Sequence, residues 1–308
     1  MDLVQLRYFT RIASLKSFSK AAVELRVAQP ALTRQVRLLE EELGVRLLVR
    51  HHRGVEPTEA GLMLLSGSEA VLHLTDAMRN DIISGAPEAT GRVRLGFPPS
   101  IGSLLLSEIV PEYRARFPKV FMHLRESYSE ILCEWLLADK LDIAVTTEAK
   151  PNPLLSSQLL LEEQLWVLMP ADPAMPRMTQ EPCGLAKLAK LPLIQTSSFT
   201  EPRMLMERAM AHEGLALNIV MEAESVPVIK DLVRQGIGCS VAPYSVVFNE
   251  IRTGALSGQP LEGLALRRVL RRRLDRPLTR AVQEMVGAIE KKAEEMINRH
   301  GPAIRVCR

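Results

Sequence analysis

Gln29, Pro30, Thr33, Arg34 and Arg37 fall within nine consecutive residues. At helical spacing the four polar residues of the set lie opposite Leu32, Val36 and Leu39. Such a row has the donors that reading a DNA duplex requires. The Arg34 guanidinium has the fork to pair with guanine and the Gln29 amide the geometry for adenine, while Thr33 offers a methyl to thymine or a hydroxyl to phosphate. Ser17 and Ser19, at a second predicted helix start, offer hydroxyls and backbone amides to phosphate. Arg50 and Arg53 flank a predicted turn and suit phosphate or minor-groove contact. The alternative for the same residues is a solvated, charged helix face.

A second set lies where apolar runs end. Pro98-Pro99-Ser100 leads into a helix start containing Gly102 and Ser103, Thr146-Thr147 ends one run, and Thr196-Ser197 ends another. In α/β sheets, ligands gather beyond the carboxyl ends of strands, and free amides at the Ser100–Ser103 helix start suit a small carboxylate or other anion. Arg203 either adds charge there or faces solvent. The alternative role for these hydroxyls is capping and loop hydrogen bonding.

The elements needed to hold the first set are legible. Leu3, Leu6, Phe9 and Ala13, then Phe18, Ala21, Ala22 and Leu25, recur at helical spacing, with Ser17 or Ser19 as N-cap of the second helix. A third helix opens at Gln29-Pro30, where proline is tolerated, and Gly44 stops it. Leu47–Arg50 and Val55–Thr58 read as two short strands around a basic turn, so residues 1–58 predict a winged helix-turn-helix. Thr58 caps a long fourth helix to about Ser84. There Leu64, Val71 and Met78 repeat every seven residues, a seam for pairing with a second chain or for packing on its own. Residues 84–91 read as a hinge.

Beyond Arg92, short apolar strands alternate with amphipathic helices, the pattern of an α/β domain with a mainly parallel sheet. Strands are predicted at 92–97, 120–126, 141–147, 165–170, 192–197, 217–222 and 238–243. Helices are predicted at 101–117, 128–139, 200–213, 225–235 and from about Leu278 past Glu295. The arginine-rich run 267–273 reads as an edge strand with a solvated face, or else as a nucleic-acid patch.

The chain of 308 residues suits two or three domains, and its net charge of +3 is unevenly placed. Residues 1–60 hold 10 Lys/Arg against 7 Asp/Glu, and the rest hold 29 of each, so the excess sits with the proposed phosphate contacts. Cys133, Cys183, Cys239 and Cys307 form no CxxC pair, which fits a reducing cytoplasm and buried thiols better than redox sensing. No signal peptide or membrane span is evident. Enzyme signatures are missing too. The stretch 236–241 lacks the third glycine of a dinucleotide fingerprint, and there is no GxSxG, P-loop or HExxH. Adjacent His51 and His52 are poorly spaced for one metal. No cofactor, no metal and no catalytic residue is expected.

Over residues 1–61 the chain resembles the LysR-type transcriptional regulators. Ala21-Ala22, Gln29-Pro30-Ala31-Leu32, Leu43-Gly44-Val45, Arg53-Gly54 and Pro57-Thr58 all fall in that family's register, and the likeness continues more loosely through 92–100, 141–145 and 235–243. The Ala28–Leu32 stretch with Arg53-Gly54-Val55 looks closest to the branch of nitrogen-assimilation regulators. Ala28 departs from a serine common in the family, and loss of that cap weakens the helix start by about 1 kcal/mol. The resemblance implies an α/β protein with an all-α-plus-wing N-terminal domain, a linker helix over 59–91, and two periplasmic-binding-protein-like subdomains. Subdomain I would comprise 92–162 and 267–300, and subdomain II 163–266, with an effector between them contacting the strand ends named above. It also implies double-stranded promoter DNA as partner, a homodimer or homotetramer, and RNA polymerase as a further contact. Two other readings stay open: the same DNA-binding role without a small-molecule effector, and a small-molecule-binding protein with a vestigial DNA domain.

Overall fold

The computed structural model describes residues 1–51, 54–84, 89–148, 151–171 and 181–306. Arg53, Cys307 and part of the predicted hinge lie outside the described residues. The chain divides into two compact units, Met1–Gly91 with Ala138–Lys140, and Arg92–Leu137 with Leu141–Arg308.

The first unit holds α1 (Leu3–Leu15), α2 (Phe18–Leu25), α3 (Gln29–Leu43), β1 (Leu48–His51), β2 (Gly54–Pro57) and α4 (Glu59–Ser84). Asp2 and Gln5 form a reciprocal capping box at α1, and the Ser17 hydroxyl accepts from the Lys20 amide at α2, 3.3 Å away. Phe9, Ile12, Phe18, Leu32, Val36, Leu39, Leu47 and Val55 form one core. The wing is tied to α3 by Glu40, whose carboxylate accepts from the amides of Leu47 and Leu48 at 2.7 and 3.1 Å. These bonds hold Leu47 at the turn out of α3, so β1 begins one residue later than the apolar pattern predicts.

The start of α4 lies hard against the wing. Thr58 accepts from the Gly61 amide and donates to the Arg46 carbonyl, and a Cβ on Gly61 would come 2.0 Å from the Leu47 carbonyl oxygen. Gly61→Ala is therefore expected to destabilise this unit by roughly 1–3 kcal/mol, the usual range for overpacking. Helicity monitored by circular dichroism during thermal unfolding would detect it, and an unchanged first transition would mean that α4 can slide away from β1. Leu64 and Leu65 are half-buried against the unit's core, whereas Val71 and Met78 are 43% and 55% exposed. The seven-residue seam thus serves its own chain at one end and lies open at the other.

The second unit is built on a sheet ordered β11-β6-β10-β5-β3-β4, with β9 also paired to β6, and a small sheet β7-β8. Its strands are β3 (Gly91–Phe97), β4 (Val120–Glu126), β5 (Ile143–Thr147), β6 (Leu155–Pro170), β7 (Leu193–Gln195), β8 (Ile219–Glu222), β9 (Ser240–Pro243), β10 (Leu256–Arg273) and β11 (Ile304–Arg305). The helices are α5 (Pro99–Arg116), α6 (Ser129–Leu137), α7 (Leu185–Leu188), α8 (Glu201–His212), α9 (Val226–Arg234), α10 (Tyr244–Thr253) and α11 (Arg280–His300). Every strand and helix predicted here from the sequence is present, most with ends shifted by a few residues, but β6 and β10 begin about ten residues before the predicted starts at 165 and 267, and two expectations are corrected. The sheet is mixed rather than mainly parallel. Pairs β3–β5 and β7–β8 are parallel, while β6 and β10 run antiparallel to each other along most of their length and β10 runs antiparallel to β5. And the arginine-rich run is no edge: β10 is hydrogen-bonded to β6 on one side and β5 on the other, with Arg268 1% and Arg271 3% exposed. The expected crossings near residues 163 and 267 fall inside these two long strands.

Candidate nucleic-acid interface and ligand cavity

On α3, Leu32, Val36 and Leu39 face the core, and Gln29, Pro30, Arg34 and Arg37 are exposed. Arg34 has no partner among the described residues, while Arg37 pairs with Glu41 at 3.2 Å, both ends open to solvent. Thr33 is half-buried at the side of this row. The Ser19 hydroxyl donates to the Gln29 side-chain oxygen at 3.1 Å, which joins the starts of α2 and α3. Ala28 gives α3 no side-chain cap, so its first amides stay unmatched by the protein's own side chains. Ser17 is half-buried as the cap of α2, and the Arg50 guanidinium lies 4.2 Å from the centre of the Phe18 ring. Arg53 lies outside the described residues. The result is a polar helix face with a forked donor and an amide held ready, flanked by a basic wing strand.

The second unit encloses a cavity of about 80 Å³. Among the described residues five helices begin at its wall: α5 at Pro99, α6 after Tyr128, α8 at Glu201, α9 at Val226 and α10 after Pro243. The residues capping α5, α8, α9 and α10 supply no side-chain acceptor to them. Helix starts carry partial positive charge and spare N–H groups, so their convergence favours an anionic group. At the floor is Arg268. Its Nε donates to Glu163 at 2.8 Å, one terminal nitrogen to the Thr147 hydroxyl at 2.9 Å and the other to the Ser100 hydroxyl at 2.9 Å. Glu163, fully buried, also accepts from the Ser245 amide at 2.6 Å, and the Ser245 hydroxyl donates to the Ser100 carbonyl at 2.6 Å. Toward solvent, the Tyr128 hydroxyl donates to Glu224 at 2.6 Å and the Tyr128 ring meets Phe199 edge-on at 5.4 Å. Burial, then the hydrogen bond and charge of Glu224, push the Tyr128 hydroxyl up to about 12. Hydrogen bonds from Ser197 and Tyr128 hold the Glu224 carboxyl below its usual range.

Of the hydroxyls predicted from the sequence, Ser100, Thr147 and Thr196 line this cavity. Thr146 does not: neighbours on a strand point to opposite faces, so Thr146 is buried on the far side of β5. Gly102 faces the Phe97 ring, where a Cβ would come within 2.6 Å, and Ser197 spends its hydroxyl on Glu224. Ser103 lies in α5, with its side chain outside the described residues. Arg203 meets neither expectation, being 7% exposed and bonded to Glu207 at 2.7 Å and to the Thr196 carbonyl at 3.4 Å. Sequence reasoning missed Arg268, Glu163, Tyr128 and Glu224. One signal was available: Glu163 shares a strand face with Leu161, Leu165 and Val167, a charge in an apolar phase.

Burial raises the thiols of Cys133, Cys183 and Cys239, which lowers their reactivity at neutral pH. Among the described residues no His/Cys/Asp/Glu group of three could hold a metal, and no helix is long and apolar enough to cross a membrane.

Residues 3–62 match the family model for bacterial regulatory helix-turn-helix proteins of the lysR family, and residues 86–294 match the LysR substrate binding domain. The nitrogen assimilation regulatory protein nac of Escherichia coli is 31% identical over 246 residues, 80% of this chain and 79% of that protein. The HTH-type transcriptional regulator BbuR of Bordetella bronchiseptica is 31% identical over 261 residues, 85% of this chain and 80% of that protein. Among solved structures, a cysteine-substituted full-length OxyR from Pseudomonas aeruginosa shares the fold with a TM-score of 0.70 at 22% identity, covering 96% of this chain and 95% of that one.

Proposed function

Since the chain belongs to the LysR family of transcriptional regulators, we propose that it reads promoter DNA with α3 and adjusts that binding to a small carboxylate held in the second unit's cavity. The observation that carries the reading is the joint presence of an exposed Gln29–Arg34–Arg37 face and a cavity walled by helix starts. Gln29 and Arg34 read base edges, Arg37 and the start of α2 hold phosphates, and Arg50 and Arg53 in the wing grip the flanking backbone. Two chains act together through the open end of α4, so the operator is partly palindromic with half-sites about one helical turn apart. Subdomain I (92–162 and 267–300) and subdomain II (163–266) shift when the carboxylate binds, which changes the spacing of the DNA-reading units. That response requires the ligand to bind one arrangement better than the other. Contact with RNA polymerase would follow at promoters that the protein activates.

The test is a footprint of the purified protein on the DNA upstream of its own gene, across a salt series. We expect a protected, partly palindromic stretch whose affinity falls with salt at a log–log slope of roughly −4 or steeper, as four or more neutralised phosphates require. Protection no better than on unrelated DNA would sink the reading. Protection that no small molecule alters would leave a regulator controlled by its own abundance.

A further inference from the structure

We infer that the cavity is built for a small zwitterion, a molecule with a carboxylate at one end and an ammonium at the other, rather than for a bare carboxylate. This rests on the ligand-responsive reading above and specifies what the ligand must carry.

The lining has two chemical poles. At the floor, Arg268 donates to the hydroxyl oxygens of Ser100 and Thr147, so each hydroxyl uses acceptor capacity on the guanidinium and keeps its own proton. Neither proton has an acceptor among the described residues, and both hydroxyls line the cavity. Arg268 thereby acts as a positioning residue that fixes two O–H donors toward the ligand. Its own charge is already balanced by Glu163. The floor receives a carboxylate through oriented donors, helped by the start of α5.

The other pole is acidic. Glu201 and Glu224 line the cavity, and neither meets a cation among the described residues. The donors to Glu224 are neutral, the hydroxyls of Tyr128 and Ser197 and the Ser197 backbone. The remaining cation of the lining, Lys230, is bonded to Glu250 at 2.8 Å, both about four-fifths buried. Glu201 opens α8, and Glu224 immediately precedes the Ser225 cap of α9. A bare carboxylate satisfied at the floor would still share the cavity with these two negative charges. An ammonium on the same molecule turns that repulsion into attraction.

The test is isothermal titration of the full-length protein with four compounds: butyrate, 2-aminobutyrate, 4-aminobutyrate and butylamine. The expected result is that one aminocarboxylate binds at least ~10-fold tighter than butyrate and butylamine, the range for a charge-assisted contact. Glu224→Gln, which keeps acceptors for Tyr128 and Ser197, should remove that preference by weakening the aminocarboxylate and not butyrate. Ser100→Ala should weaken both. Butyrate binding as tightly as the better of the two aminocarboxylates, or an unaltered preference in Glu224→Gln, overturns the zwitterion while the carboxylate-responsive reading stands. Silence of all four compounds also overturns it. The parent reading then rises or falls on whether any carboxylate changes the footprint.

Discussion

Replacing Arg34 and Arg37 together with alanine should abolish specific DNA binding and leave thermal stability almost untouched. Both side chains are exposed, and the Arg37–Glu41 pair is a surface pair of the kind that contributes little. Alanine is also the best helix former, so α3 itself is not weakened. The folded state should therefore change by no more than about 0.5 kcal/mol. The complex should suffer far more. A base-reading arginine is worth about 1–3 kcal/mol, and each of two chains loses one of these and one phosphate contact, so even about 1 kcal/mol apiece gives a loss near a thousandfold. Fluorescence anisotropy with operator and scrambled duplexes separates the roles. Arg34→Ala alone should narrow the gap between the two duplexes. Arg37→Ala alone should weaken both and reduce the salt slope. Unchanged operator binding in the double variant would remove α3 from the reading head.

The largest expected effect on stability is at the cavity floor. Arg268→Met leaves the Glu163 carboxylate fully buried with only the Ser245 amide as donor, and stranding one member of a buried pair costs about 3–5 kcal/mol. It also strips Ser100 and Thr147 of the donor that orients them. Adding Glu163→Gln removes the stranded charge and should restore a large part of the loss, because a buried pair is often no more stabilising than an apolar or neutral replacement. Chemical denaturation of wild type, both single variants and the double variant completes the cycle. A loss below about 1 kcal/mol in Arg268→Met would mean that water reaches Glu163 when the guanidinium is gone.

The exposed polar face of α3 was legible because it depends on local order. The i, i+3, i+4 phase of Leu32, Val36 and Leu39 fixes which side of α3 is outward, and Gly44 with φ +68° ends the helix where expected. The cavity was only partly legible. Ser100, Thr147 and Thr196 could be placed because strand and helix ends can be found from hydrophobic pattern. Thr146 went astray although alternation along β5 already assigns it to the opposite face from Thr147. Arg268 was beyond reach for a different reason. A strand rich in arginine is soluble on any face unless a carboxylate meets it inside, and that carboxylate stands 105 residues earlier on another strand. Local pattern carries no record of such a meeting. The parallel sheet failed likewise, since strand direction follows from the paths of β6 and β10 rather than from their composition.

Those two long strands have a mechanical consequence. A pair of antiparallel strands behaves as a ribbon, stiff along its length and compliant in torsion, and its ladder yields most easily where it is interrupted. Here the interruptions fall between Pro260 and Ala265 and between Arg268 and Val269. Arg268 therefore sits on a torsional weak point, gripping Glu163 on the neighbouring strand and Ser100 and Thr147 off the ribbon. A force on those two hydroxyls is applied with leverage, and it is relieved most cheaply as rotation of one end of the ribbon against the other.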